Sequence, residues 1–373
     1  MKKVTFPHMG FTYVPVKVMF RKLGIELVVP PPCTARTLSI ASKHSPEWVC
    51  IPYKLVLGNF IDGLEMGANV LIHLGGPNNC RFGYYSILHD KVLKELGYEF
   101  EMLTADISSR TVSGMSDIFK YLTDYQATSW DCLQAMLLAI AVLRDLDEIE
   151  RKVQWLRPRE VDVGSADKVL DAAAKDLSEV NSLRESRSAK AHYLDLLDRL
   201  PINGNQDPIK ISIVGEIYVV HEPYINMNIE KELGRRGVEA TRSEQVSQWL
   251  VLSPALILES LGIGHEERIA RAARPFLEHM HGETVGQTVM AARGGFDGVI
   301  HLTPFTCTPE IVNENVLVRL RKDIDIPVLT LILDEQTGFS GYITRLEAFI
   351  DLLARRRQRN SLLSRHKQTL KCR

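Results

Sequence analysis

Val70-Leu-Ile-His-Leu74 is a continuous apolar run that leads directly into the loop Gly75-Gly-Pro-Asn-Asn-Cys-Arg-Phe-Gly-Tyr-Tyr85. Helical spacing follows from Ser86 to Leu96, Gly97 ends the helix, and a further strand is predicted from Tyr98 to Leu103. Strands that are apolar throughout and alternate with helices are typical of a parallel sheet covered on both faces. This part of the chain therefore predicts an α/β fold.

The same order of segments occurs twice along the chain. Each half opens on a short strand, has a glycine turn before its second strand, and carries a His-containing apolar strand ahead of a cysteine loop. The corresponding segments are Lys3-Val-Thr-Phe6 and Lys210-Ile-Ser-Ile213, Leu23-Gly-Ile-Glu26 and Arg236-Gly-Val-Glu239, Val70–Leu74 and Gly298-Val-Ile-His-Leu302, and Phe100–Asp106 and Leu329–Asp334. The repetition predicts two tandem copies of one small α/β unit.

Between the two copies the pattern is helical. Trp130 to Trp155 is apolar at helical spacing, Lys168 to Leu200 is helical but more charged, and Pro201 to Pro208 is a turn-rich linker. We therefore expect two parallel-sheet domains of flavodoxin or Rossmann type with a helical insert. Their predicted limits are 1–110 for the N-terminal α/β domain, 111–205 for the helical insert and 206–373 for the C-terminal α/β domain.

Composition excludes several classes of function. The 373 residues exceed one typical core, and 45% hydrophobic with 24% charged residues is ordinary for a soluble globular protein. A net charge of −1 gives no sign of nucleic-acid or membrane binding. Six cysteines scattered along a chain with no secretory signal favour a reducing, cytoplasmic environment with thiols free to bind metal.

Three of the cysteines lie in Gly- or Pro-marked loops, and these loops carry the functional hypothesis. They are Glu47-Trp-Val-Cys-Ile-Pro-Tyr-Lys54, the Cys80 loop and Pro304-Phe-Thr-Cys-Thr-Pro-Glu310, and two of them directly follow a predicted buried strand. Loops at the ends of buried strands are where open α/β folds bind ligands. We therefore expect Cys50, Cys80 and Cys307 to converge on one iron–sulfur cluster.

The spacing of these cysteines does not match ferredoxin runs or zinc fingers, so the cluster is expected to be assembled from distant loops. Three cysteines around a four-iron cube leave one iron open for water or substrate, and Cys33 is the candidate for a fourth ligand. Zinc and a redox thiol pair remain as alternatives. Cys132, on an apolar helix, and Cys372, in the tail, are expected to have no metal role.

Other polar residues near these loops have two interpretations each. Lys54 and Arg81 are candidates for offsetting cluster charge or binding phosphate, or for forming a surface ion pair. Glu47 and Glu310 are candidates for proton transfer or for helix capping. His73 and His301 are expected to be satisfied core histidines, whereas His221 with Glu222 is a candidate acid/base group. No Walker A loop or Gly-x-Gly-x-x-Gly fingerprint is present.

Three motifs together resemble one family: Glu47-x-x-Cys50-x-Pro52-x-Lys54, Gly-Pro-x-x-Cys80-Arg-Phe-Gly and Pro-Phe-x-Cys307-x-Pro-Glu310. They are similar to the bacterial CoA protein activase group, which is related to the subunits of 2-hydroxyacyl-CoA dehydratases and benzoyl-CoA reductases. Thr344-Arg345-Leu-Glu347-Ala-Phe349 after Asp334-Glu335 also fits, so the resemblance runs from Lys3 to about Leu353.

The resemblance implies double α/β domains that hold a [4Fe-4S] cluster through cysteines. It further implies low-potential electron transfer under anaerobic conditions, with a separate ATP-hydrolysing activator protein as the electron donor. An acyl-CoA substrate for reduction or dehydration, and a related subunit or second copy as partner, follow from the same resemblance. The alternative function is that of a non-catalytic ligand-binding or scaffold protein with two α/β lobes, or of a zinc protein.

Overall fold

The computed structural model describes residues 2–76, 80–106, 112–204, 207–249, 265–276 and 283–371. Two four-stranded sheets, both parallel throughout, form the framework of the molecule. The first has the order β2-β1-β3-β4 and contains β1 (Lys3–Thr5), β2 (Glu26–Leu27), β3 (Val70–Gly75) and β4 (Glu101–Asp106). The second has the order β6-β5-β7-β8 and contains β5 (Ile209–Gly215), β6 (Val238–Arg242), β7 (Gly298–Pro304) and β8 (Val328–Leu333).

Both sheets follow the strand order of the flavodoxin type, in which the chain reverses direction beside the first strand. In the second sheet β5 pairs with β6 on one side and β7 on the other, and Gly215 aligns with Leu302 at the ends of their strands. Ligands bind in such folds at the carboxyl ends of the strands that flank this reversal. The predicted pair of tandem parallel-sheet domains is confirmed.

The first domain has five α-helices among the described residues, of which the third is buried on all of its faces. They are α1 (Tyr13–Lys22), α2 (Ala35–Lys43), α3 (Ile51–Glu65), α4 (Tyr85–Glu95) and α5 (Val112–Leu122). Every residue of α3 from Ile51 to Leu64 is buried, as expected for a helix that is apolar on all faces. One continuous core joins α3 to Ile211, Leu302 and Leu331 of the second sheet, so α3 lies at the junction of the two domains.

The middle of the chain is a helical layer, as predicted. It contains α6 (Ser129–Leu156), α7 (Ser165–Leu177) and α8 (Leu183–Asp198). Thr128 and Asp131 form a capping box that starts α6. Val14 and Val18 of α1 pack into the same core as these helices, whereas Phe119 of α5 packs beneath the first sheet.

The second domain contributes seven helices among the described residues. They are α9 (Ile217–His221), α10 (Ile229–Arg235), α11 (Val246–Trp249), α12 (His265–Ala273), α13 (Glu283–Arg293), α14 (Thr308–Leu320) and, at the end of the chain, α15 (Phe339–Lys371), of which α11 is a single turn. In the part of the chain that is described, every helix is too short or too polar to cross a lipid bilayer.

Several predicted boundaries differ from those observed. The strand expected from Tyr98 to Leu103 is β4, displaced toward Asp106. The basic composition beyond Arg355 predicts a frayed, solvated tail, whereas α15 continues to Lys371. The predicted domain limits at 110/111 and 205/206 lie outside the described residues. The sequence also predicts a mostly helical segment from Ser243 to about Ala292 with a break at Gly262-Ile-Gly264, and this break likewise lies outside the described residues.

Candidate functional site

Each of the three predicted ligand cysteines is the N-cap residue of a helix. Cys50 precedes α3, Cys307 precedes α14, and Cys80 precedes a 3₁₀ turn, Arg81–Tyr84, that leads into α4. All three have extended backbone conformations, and proline occupies one of the first two positions of both α3 and α14. Backbone N–H groups and the helix dipole make such positions favourable for negative charge, including a thiolate.

The three cysteine loops are hydrogen bonded to one another. Arg81, beside Cys80, donates to the main-chain oxygen of Thr306 at 2.5 Å. The Thr306 hydroxyl donates to the main-chain oxygen of Trp48 at 3.0 Å, and the Arg81 guanidinium lies 5.8 Å from the Trp48 ring centre. Residues adjacent to Cys50, Cys80 and Cys307 are therefore in direct contact, and we refer to this region as the three-cysteine site.

Thr306 has a backbone conformation that is uncommon for its residue type. Its φ is 66°, in the left-handed region that β-branched residues rarely adopt. Pro304 precedes it, and the Cys307 N–H donates to the Pro304 carbonyl at 3.0 Å. The turn directs the Thr306 carbonyl and hydroxyl toward Arg81 and Trp48, so the strained residue is the one that joins the loops.

The environment of the three thiols favours their protonated form. Burial raises the pKa of Cys50 to about 11, and burial likewise raises the pKa of Cys80 and of Cys307. The negative charge of Glu216 adds to the pKa increase at all three thiols, and Cys50 and Cys80 are mutually close enough for a Coulombic effect. A bound cation would remove this penalty, because a metal displaces the proton from each thiol.

Glu216 is placed by the end of strand β5. Its carboxylate accepts from the N–H groups of Tyr218 and Val219, and its own N–H donates to Leu302. Gly215 allows this approach, since it has a φ of +133° and an added Cβ would lie 1.9 Å from the Leu302 oxygen. Burial, with a further contribution from Glu310, raises the pKa of Glu216 to about 7.

Glu310 and His301 form a buried pair behind Cys307. His301 Nε2 lies 2.6 Å from Glu310 Oε2, and both side chains are buried. Thr284 and Asn313 also donate to the Glu310 carboxylate. His301 is thus a satisfied core histidine, as expected, and Glu310 anchors the first turn of α14.

Lys54 and Arg81 have different roles in the structure. Lys54 is 2% exposed and forms an ion pair with Glu335 at 2.5 Å, which joins α3 to the segment that follows β8. Of its two interpretations, the ion pair is the one observed, although it is buried and not on the surface. Arg81 holds the three loops together, as described above.

The remaining cysteines are Cys33 and Cys132, which contact other residues, and Cys372, which is outside the described residues. Cys33 Sγ lies 3.5 Å from Asn59 Oδ1 and 3.9 Å from the Tyr218 hydroxyl, and burial together with Glu222 raises its pKa. Cys132 packs in the core between α5 and α6, as a small hydrophobic residue would. Cys372 and residues 77–79 of the Cys80 loop are outside the described residues. Glu47, the other acidic residue predicted near these loops, is exposed.

Glu222 connects the two domains, whereas His221 is bonded to an arginine of its own domain. His221 Nδ1 accepts from Arg242 at 2.6 Å, and burial followed by the Arg242 charge lowers the His221 pKa. The Glu222 carboxylate accepts from the N–H of Gly10 at 3.0 Å. His73 lies in the first sheet, where burial lowers its pKa to about 4, and its Nδ1 bonds to the Leu74 oxygen.

The described residues contain no set of three or more His, Cys, Asp or Glu side chains arranged closely enough to hold one metal ion. A four-iron cube bonds each thiolate to a different iron, so its ligands stand farther apart than those of a single ion. The donor chemistry of the site, three thiols at helix N-termini beside a carboxylate, fits such a cluster.

Three residues at this site were not identified from the sequence: Glu216, Thr306 and Tyr85. Glu216 directly follows a buried strand and a glycine, which is a usable signal for a residue at the carboxyl edge of a sheet. The role of Thr306 depends on its left-handed conformation, and that of Tyr85 on a contact 35 residues away in the chain, with Cys50. Neither relationship is encoded in local spacing.

Neither the protein-family models nor the curated proteins compared with this chain match it. Its function is therefore inferred from the residues that meet at the three-cysteine site.

Proposed function

We propose that this protein holds a [4Fe-4S] cluster through Cys50, Cys80 and Cys307 and receives low-potential electrons from an ATP-hydrolysing activator protein. The observation that carries the proposal is the hydrogen-bonded contact of the three cysteine loops through Arg81, Thr306 and Trp48. These loops come from distant parts of the chain and from both domains, and each presents its cysteine at a helix N-terminus.

The electrostatics of the site support an anionic cofactor that contains metal cations. The thiols are unfavourable as free thiolates because they are buried and flanked by Glu216. The iron charge would relieve that penalty, while helix N-termini and Arg81 would offset the net negative charge of a thiolate cluster. When bound, the cluster supplies one-electron redox chemistry.

Protein groups beside the cysteines are suited to proton handling. Glu216, with a pKa of about 7, takes up or releases a proton near neutral pH beside the thiols. Together with the resemblance to dehydratase and reductase subunits, this supports reduction or dehydration of a substrate such as an acyl-CoA thioester. Cys33, near Asn59 and Tyr218, remains a prediction as a fourth ligand.

Exposed aromatic residues on the same loops support a protein partner at this face. Trp48 is 62% exposed, Tyr84 60% and Phe305 54%, and each lies within four residues of one of the three cysteines. Aromatic side chains are enriched at protein interfaces. An activator protein that docks there would approach the cluster directly, and a related subunit or second copy would use the same features.

Anaerobic purification followed by metal analysis, visible absorption and electron paramagnetic resonance tests the proposal. We expect a brown protein with about four irons per chain and a reduced-state resonance signal. Colourless protein with stoichiometric zinc would contradict the iron–sulfur proposal. If the protein binds no metal even after anaerobic reconstitution with iron and sulfide, the result would favour the alternative function, a non-catalytic ligand-binding or scaffold protein with two lobes.

A further inference from the structure

The Tyr85 hydroxyl lies 3.1 Å from the Cys50 sulfur, and both residues are buried. Tyr85 is the first residue of α4 and belongs to the Cys80 loop, whereas Cys50 caps α3. The contact therefore reaches from one cysteine loop to the ligand atom of another. An oxygen–sulfur separation of 3.1 Å is short for a hydrogen bond, because sulfur is a larger acceptor atom than oxygen or nitrogen.

The direction of this hydrogen bond follows from the chemistry of a ligand thiolate. A thiolate bound to iron has no proton, so the tyrosine O–H has to be the donor. The ring is held by Tyr53, edge-on at 4.9 Å between centres, and by Phe82 at 5.8 Å.

We propose, resting on the iron–sulfur function above, that Tyr85 is a positioning residue that orients Cys50 and raises the reduction potential of the cluster. Hydrogen bonds to ligand sulfurs are one of the means by which proteins set cluster potentials. Reduction adds negative charge to the cluster, so a donor at the sulfur stabilises the reduced state more than the oxidised state.

Tyr53 offers a matched control. It is also a fully buried tyrosine in contact with Tyr85, but among the described residues its hydroxyl has no hydrogen-bond partner. Tyr85→Phe and Tyr53→Phe each remove one buried oxygen from adjacent rings, and only the first removes a hydrogen bond to a thiol. Any effect of general packing or dielectric should be common to both variants.

The experiment is a redox titration of the anaerobically purified wild type and both variants, monitored by electron paramagnetic resonance. We expect a more negative midpoint potential in Tyr85→Phe and no change in Tyr53→Phe. Electron–nuclear double resonance of the reduced wild type should also show an exchangeable proton coupling that is lost in Tyr85→Phe and retained in Tyr53→Phe.

The outcomes separate this inference from the function on which it rests. A wild type that binds no iron overturns both. A Tyr85→Phe variant that binds iron with unchanged potential and proton coupling, or equal shifts in the two variants, overturns the role of Tyr85 alone. Loss of iron from Tyr85→Phe but not from Tyr53→Phe supports the positioning of Cys50, and loss from both overturns it.

Discussion

The Arg81 guanidinium donates to the main-chain oxygen of Thr306 at 2.5 Å, although the two residues are 225 positions apart and belong to different α/β domains. This hydrogen bond joins the chain neighbours of two of the cysteines, because Cys80 precedes Arg81 and Cys307 follows Thr306. A charged donor bonded to a half-buried carbonyl is worth more than a neutral hydrogen bond. The bond therefore contributes both to domain contact and to shielding of the thiols.

Arg81→Gln should lower the unfolding free energy by about 1–2 kcal/mol, as expected for loss of a charged donor. The three thiols should also react faster with a disulfide reagent in the metal-free protein, because the loops are no longer held together. Arg345→Gln is the control, since Arg345 donates to the Thr330 carbonyl at an exposed position. Unchanged thiol reactivity in Arg81→Gln would show that this contact does not shield the site.

Replacing each cysteine with serine should change the iron content in a way that depends on whether that cysteine is a ligand. Cys50→Ser, Cys80→Ser and Cys307→Ser should each lose most of the bound iron, whereas Cys132→Ser should retain it, because Cys132 lies in the apolar core beneath the first sheet. Iron per chain, measured after anaerobic purification, checks each variant, and equal loss from Cys80→Ser and Cys132→Ser would remove the proposed ligand set.

Gly215 should not tolerate a side chain. Its φ of +133° disfavours any L-residue, and a Cβ would lie 1.9 Å from the Leu302 oxygen. We expect Gly215→Ala to lower the unfolding free energy by at least about 3 kcal/mol, measured by urea denaturation. Gly341→Ala, near the start of α15 with open space around it, should be neutral or slightly stabilising. Similar stabilities for both variants would contradict the close approach of β5 and β7.

The sequence predicted the elements that depend on local pattern and missed those that depend on tertiary contacts. Val70–Leu74 and Gly298–Leu302 were recognised as strands because buried parallel strands are apolar at each position. Their shared position before a cysteine loop also predicted the tandem repeat. Glu216 was missed because its proximity to the thiols arises from the pairing of β5 with β7, which no local spacing shows.

Lys54 illustrates a second limit of the sequence. Its position near Cys50 in the sequence predicts either a charge that offsets the cluster or binds phosphate, or a surface ion pair. The structure shows a buried ion pair with Glu335 of the other domain. Helix α3 is buried on all sides, and the partner of a buried charge is set by which element packs there. The motif identified the residue correctly but did not determine its partner.

The buried Lys54–Glu335 pair predicts an asymmetric response to mutation. Lys54 is 2% exposed and Glu335 is 32% exposed by side chain, so Glu335→Gln leaves a buried ammonium unpaired. We expect this variant to lose about 2–3 kcal/mol of unfolding free energy, and Lys54→Met to lose less than about 1 kcal/mol. The double variant should resemble Lys54→Met. Equal losses in the two single variants would show that the ion pair itself, and not burial of the cation, determines stability.

Asp147 predicts a change in stability with pH that is independent of the cysteines. It lies in α6, 2% exposed, where burial and the nearby Glu150 raise its pKa to about 6, against the opposing effects of Ser247 and Arg242. A carboxyl group with a raised pKa stabilises the folded state fully below its unfolded value of 3.8, and this contribution is lost as the pH rises through 6.

Asp147→Asn should therefore remove a decline of up to about 3 kcal/mol in unfolding free energy between pH 4 and pH 7. The amide oxygen retains an acceptor for the Ser247 N–H, which Asp147 Oδ2 accepts at 3.1 Å. At pH 7 the variant should be more stable than the wild type, and near pH 4 the two should be equal. Urea denaturation across this range checks the prediction, with Asp351→Asn on the exposed face of α15 as control. A constant difference between wild type and Asp147→Asn at all pH values would show that Asp147 ionises normally in the folded protein, because only a shifted pKa produces a difference that depends on pH.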